Sequence, residues 1–218
     1  MARDTPDRLM DAVLDLVAEY GYSRASVGAI ERAAGMSPRS GALYQHFTGK
    51  DDLLRAAVER DLAAIDELGD VIAMLPLGDL RAELTLLARW NLSSLERRSR
   101  LARLVRRESA HIPQDLLDRL YDRLVAQPYE QIVGWLRERY AAAGIDAPDL
   151  HTLAFVLIEP MSSYRAMREM FGRTLDDIDD ERFIVGWVDV ALAVAQQHGL
   201  ALERRGTPAA PPRPDLSS

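Results

Sequence analysis

A chain of 218 residues with 48% hydrophobic content can bury a core of ordinary size, as one domain or as a small head on a larger body. It has no cysteine, which excludes disulfides, thiolate metal sites and cysteine nucleophiles. The net charge of −7 is uneven: residues 1–50 hold six basic and six acidic side chains, so the remainder carries the whole excess and a neutral head is free to approach phosphates.

The opening MARDTPDRLMDAV carries Asp4, Asp7 and Asp11 and has no apolar core of the kind a secretory signal needs. No apolar run approaches the ~20 residues that span a bilayer, so a cytoplasmic protein with no membrane partner is expected. Over residues 8–20, Leu9, Met10, Val13, Leu14, Val17 and Tyr20 recur at helical spacing, and Gly21 ends the run. Next comes SVGAIERAAGMSPRSGALYQHFTGKDDLL, residues 26–54. Ser26 is a good N-cap for a short helix with the apolar stripe Ile30, Ala33 and Ala34, and Gly35 sits where the chain must turn. Ser37 and Pro38 suit the restart of a second helix, with Leu43 and Phe47 toward the core and Arg39, Ser40, Tyr44, Gln45 and His46 on the outer face. Two short helices around a glycine turn, followed by an aromatic and basic cluster, are how a helix-turn-helix DNA reader looks.

Ala33-Ala34-Gly35, then Leu43-Tyr44-Gln45-His46-Phe47, then Lys50 make this segment resemble the N-terminal domain of the tetracycline-repressor-like (TetR) family of bacterial transcription factors. The resemblance is close over about the first quarter of the chain, and in rhythm it extends weakly to residues 104–138. It implies that Lys50, the only lysine, meets a backbone phosphate from a helix N-terminus, and that Tyr44 and His46 hold phosphates. Arg39, Ser40, Gly41, Ala42 and Gln45 are then the nearest candidates for base edges, with Ser26 at the start of the first reading helix. One departure matters. Between the serine after the turn and the glycine before Leu43-Tyr44, relatives commonly have one residue, and here Pro38, Arg39 and Ser40 stand. Two extra residues inside a helix would rotate its upstream part by ~200°. A lengthened turn instead keeps Leu43 and Phe47 inward, and is the favoured reading.

Downstream, Asp51 and Asp52 open a helix running toward about residue 75, and Pro76-Leu77-Gly78-Asp79 is a turn. Helical segments are expected over 80–95 and 101–110, separated by Arg97-Arg98-Ser99-Arg100. A long amphipathic stretch starts at Pro113, is kinked by Pro128 and ends near Gly144. Two unusually apolar helices follow, one from Asp149 containing Glu159-Pro160 and one over 183–198; the proline-rich tail 204–218 is expected to be disordered.

The four histidines are isolated and the acidic run 176–181 lacks calcium-loop spacing, so neither a metal nor a cofactor is expected. No clustered acid, base or nucleophile suggests an enzyme. The expectation is an all-α protein: a three-helix helix-turn-helix head, residues 1–50, on a larger helical effector-binding and dimerisation body, residues 51–203. The resemblance implies an effector pocket, for which Trp90, Tyr121, Phe155, Glu159, Met161 and Tyr164 are the candidates, taking a largely apolar small molecule. Val156, Ile184, Trp187, Val188 and Leu192 are the candidates for a homodimer interface, because helices this apolar exceed what one small body buries. The function expected is a repressor released by its effector from an inverted-repeat operator in double-stranded DNA. The rival is a helical small-molecule-binding protein without DNA binding.

Overall fold

The computed structural model describes residues 4–65 and 68–200, so the expected tail lies outside the described residues. Among these residues there are helices and turns and no strand.

Helix α1, Thr5–Tyr20, starts where the Asp4 side chain accepts a hydrogen bond from the Thr5 N–H at 2.7 Å, with Pro6 in the first turn. It buries Leu9, Val13, Leu14 and Val17 along one stripe. Ser26 caps α2, Val27–Ala33, its hydroxyl accepting from the Ala29 N–H at 3.3 Å. The end of α2 is a double-bonded left-handed cap. The Met36 N–H donates to the Glu31 carbonyl at 2.8 Å and the Gly35 N–H to the Arg32 carbonyl at 2.9 Å, with Gly35 at φ 74. The positive φ favours glycine here, and a Cβ at this position would lie 2.6 Å from the Arg8 guanidinium, which donates to the Ala34 carbonyl and would have to shift.

Helix α3, Lys50–Ala63, buries Leu53, Leu54, Ala57, Val58 and Leu62. It ends well short of residue 75: the backbone breaks after Ala64 and a five-residue helix α4, Leu68–Ile72, follows. Asp79 caps α5, Leu80–Arg97, and Arg98 separates it from α6, Ser99–Glu108. The stretch after Pro113 is α7, Gln114–Tyr121, then a π-helical turn over Asp122–Ala126, then α8, Gln127–Ala143. The wide turn sits just before Pro128, which has no N–H to give the Leu124 carbonyl four residues back. Helix α9, Leu150–Phe171, by contrast, runs unbroken through Pro160. Helix α10, Asp180–Gln197, ends the described chain.

Two hydrophobic cores result. The first joins α1, α2, α3 and Leu43 to Leu101 and Leu104 of α6, Ile112, and Leu116 and Leu120 of α7. The second joins α4, α5, α8, α9 and α10. A buried ion pair closes the second core's lower end: Glu83 is fully buried, is paired with Arg139, and accepts from the Leu77 N–H at 2.8 Å. The turn over residues 76–79 is therefore tied to the start of α5.

Candidate nucleic-acid interface and body cavity

The second reading helix is shorter than its sequence suggests. Only a 3₁₀ turn, Leu43–Gln45, forms, because Arg39 (φ 63) and Gly41 (φ 74) adopt left-handed backbone that no right-handed helix can contain. The two extra residues lie in the turn. Ser37 to Ser40 form a reverse turn with Pro38 second and the Ser40 N–H donating to the Ser37 carbonyl at 3.1 Å. This turn folds over α2, where Pro38 Cβ lies 3.9 Å from the position a Cβ on Gly28 would take.

Leu43 is fully buried and Phe47 half-buried against the head core, which leaves Tyr44, Gln45 and His46 exposed on the opposite side. Arg39 is exposed beside them; Gly41 and Ala42 are half-buried. Ser40 is exposed as well, with its hydroxyl 3.4 Å from Glu31 Oε1, and the Leu43 N–H approaches the same oxygen at 3.4 Å. Glu31 is fully buried. It was not singled out from sequence, where it reads as an ordinary surface glutamate of an amphipathic helix. Lys50 opens α3, donates from Nζ to the Tyr22 carbonyl at 2.8 Å, and lies 3.7 Å from the centre of the Tyr22 ring. Partial burial holds its ammonium pKa below the usual value. Tyr22 is thus a second residue the sequence did not flag, and only its place in the loop ahead of Ser26 hinted at it.

Charge on the head also differs from its formal count. Arg60 of α3 bonds Asp11 at 2.7 Å and Asp61 at 2.8 Å, and Arg100 of α6 donates to the Asp11 carbonyl at 3.0 Å and sits 3.1 Å from Asp15. The acidic side of α1 is therefore neutralised from behind.

In the body, a cavity of about 830 Å³ opens between α5, α6, α7, α8 and α9. Trp90, Tyr121 and Glu159 line it, and Glu159 accepts a hydrogen bond from the Tyr129 hydroxyl at 2.7 Å. Desolvation first, then this carboxylate, raises the Tyr129 pKa. Met161 lines a separate, nearly filled void of about 60 Å³, which Trp90 also borders. Phe155 and Tyr164 border neither. Phe155 is 58% exposed beside Tyr129, while Tyr164 is buried, stacked on Phe183 at 4.2 Å and bonded to Asp180 at 2.7 Å.

The proposed dimer residues separate as well. Ile184, Val188 and Leu192 are buried in the body's own core, so this side of α10 is an internal face and not an interface. Trp187 is half-buried, its indole donating to the Leu157 carbonyl at 2.6 Å. Their identification failed because a helix apolar nearly all round gives no sequence signal for which face turns inward. Val156, 61% exposed, does lie outside, and with it Val185 and Val190 of α10 at 56% and 58%. Among the described residues no helix is long and apolar enough to cross a membrane, and no group of histidines and acids could hold a metal ion.

A short helix and a 3₁₀ turn with exposed aromatic side chains, seated on a helical body that contains a cavity, make a helix-turn-helix head on a separate helical body. Residues 9–57 match the family model described as "Bacterial regulatory proteins, tetR family". The N-terminal domain of this chain is therefore that of the TetR family. The HTH-type transcriptional regulator AcrR of Shigella flexneri is 37% identical over 67 residues, which are 31% of this chain and 30% of that relative, so the chain matches less than a third of its length. A TetR-like transcriptional regulator from Rhodococcus sp. RHA1 superposes with a TM-score of 0.62 over 89% of this chain and 96% of its own, at 18% identity. The transcriptional regulator FadR from Bacillus subtilis, solved in complex with stearoyl-CoA, superposes with a TM-score of 0.58 over 84% and 95%, at 19% identity. At these identities the solved structures establish the fold of the body and nothing finer.

Proposed function

We propose that the protein is a homodimeric, ligand-responsive DNA-binding regulator, acting as a cytoplasmic repressor and not as an enzyme. The observation that carries this reading is the pairing of an exposed Tyr44-Gln45-His46 turn with a body cavity, joined by one helix. Helix α6 lines the cavity through Arg103 and Arg106, and through Arg100 it grips Asp11 of α1. A ligand that displaces α6 moves the head with it.

On DNA, Tyr44, His46 and Lys50 serve phosphates, and Arg39 and Gln45 are placed to reach base edges. Gly41 and Ala42 let the backbone come close, and Ser26 fixes the start of α2. Two heads in a dimer read successive turns of the major groove, and the effector alters their spacing. The effector fills the cavity beside Trp90, Tyr121 and Glu159. Selection of binding sites from genomic DNA tests the reading. It should enrich an inverted repeat, with affinity falling steeply as salt rises. Enrichment of no repeat, with a ligand still bound in the cavity, would favour a small-molecule-binding protein that does not read DNA.

A further inference from the structure

Arg98, between α5 and α6, is a buried cation that pairs with no anion among the described residues. It is 7% exposed, and its guanidinium donates to two backbone carbonyls, that of Ser94 at 3.3 Å and that of Leu124 at 3.1 Å. The Leu124 carbonyl is the one that Pro128 leaves without a helical donor. Burial first, and the like charge of Arg97 second, lower the Arg98 pKa to about 10.

The other arginines around the cavity are matched. Arg103 and Arg106 share Glu169, each at 2.9 Å, while Arg165 and Arg168 share Asp180. Glu159, the acid deepest in the wall, is already held by Tyr129. On the side of α5 that carries Arg98, Asn91 Oδ1 and Ser94 Oγ are buried without a hydrogen-bond partner, and Asn91 borders the cavity. Five arginines and three glutamates line the whole space, and an apolar part of the wall is formed by Leu117, Leu120, Leu124, Ile132 and Ile158. An unpaired buried guanidinium is strongly unfavourable unless something of opposite charge joins it.

We propose that the cavity binds an amphipathic organic anion whose carboxylate or phosphate head pairs with Arg98 and whose apolar body lies against Leu120, Leu124, Ile132 and Ile158. The inference rests on reading the body as an effector domain. It adds a ligand class and a route for the signal. An anion on Arg98 draws the guanidinium from the Leu124 carbonyl, and Arg98 directly precedes the helix that holds α1 through Arg100.

The test titrates the full-length protein by calorimetry with decanoate, decyl phosphate and decanol, each below its micelle threshold at neutral pH. At least one anion should bind about ten-fold or more tightly than decanol, as a charge-assisted hydrogen-bonded pair requires, and the ratio between the anions identifies the head group. Arg98→Gln, which keeps a donor for the Leu124 carbonyl, should lower the anions to the level of decanol and leave decanol unchanged. Arg98→Met provides a second variant, and the comparison on the unaltered protein stands whether or not either one folds. Equal binding of all three probes overturns the anion inference and leaves an effector cavity in place. Binding of none overturns both. A preference for anions that persists in both variants overturns the assignment to Arg98.

Discussion

Lys50 is held before any DNA arrives. One of its three N–H donors goes to the Tyr22 carbonyl and its charge lies on the Tyr22 ring, so the ammonium is aimed and its remaining donors stay available. Replacing Lys50 by Ala should weaken binding about equally on every DNA sequence and reduce the slope of log affinity against log salt by roughly 1. Filter binding across a salt series measures both. A loss confined to the operator would instead mean that Lys50 reads sequence. Asp180 illustrates a charge whose work is structural. Desolvation alone would raise its pKa, but the Tyr164 hydroxyl and the guanidinium groups of Arg165 and Arg168 outweigh it and hold the pKa below the usual carboxylate value. Such a group stabilises the fold above the unfolded-state pKa of about 4, and that stabilisation fades as pH falls through the lowered folded-state value. Asp180→Asn should therefore lower the Tm at neutral pH, with the gap to the parent narrowing below about pH 4. A gap that stayed constant with pH would assign the effect to packing.

At the scale of elements, the reading segment was partly legible. The N-cap at Ser26, the glycine turn at Gly35 and the inward Leu43 all follow from local rules, because each is decided within a few residues. The length of the second helix was not, since it depends on Arg39 taking left-handed backbone, which sequence rules assign first to glycine or asparagine. The break after α3 was hidden because its apolar residues continue at helical spacing into α4. The π turn before Pro128 appeared in the sequence only as a kink, and its partner Arg98 lies 26 residues away, a distance no local pattern spans. Because Ser37 and Pro38 sit in a surface turn, deleting both should leave a protein that melts near the parent temperature with a changed operator preference. Thermal melts combined with a repeat of the site selection check both halves. Unfolding of the variant would show that the turn braces α2 through Gly28.

For the whole molecule, the exposed apolar side chains are the candidates for contact between copies in the proposed dimer. Val156 of α9 and Val185 and Val190 of α10 are exposed together with Phe155, whereas Ile184, Val188 and Leu192 are spent inside. Val185→Asp should yield a monomer at micromolar concentration in sedimentation, with an unaltered helical spectrum, because more than half of the Val185 surface is exposed. Val188→Asp should unfold the body, since it buries a charge in a packed core, a change that destabilises by several kcal/mol. A dimer that survives Val185→Asp would place the interface elsewhere. The formal charge balance of the head was readable from sequence, but its masking by Arg100 was not, because the partner comes from α6.

The first core has a further consequence. Leu101, Leu104, Leu116 and Leu120 share one core with α1, α2 and α3, so the helix-turn-helix segment has no complete interior of its own. Grafted onto another body without α6 and α7, it would lose these four leucines from its core. In hydrogen exchange, the amides of α1 and α6 should open as one unit, although residues 21–98 separate them in the chain. A module that looks exchangeable along the sequence is, in three dimensions, sewn to the helices of the body.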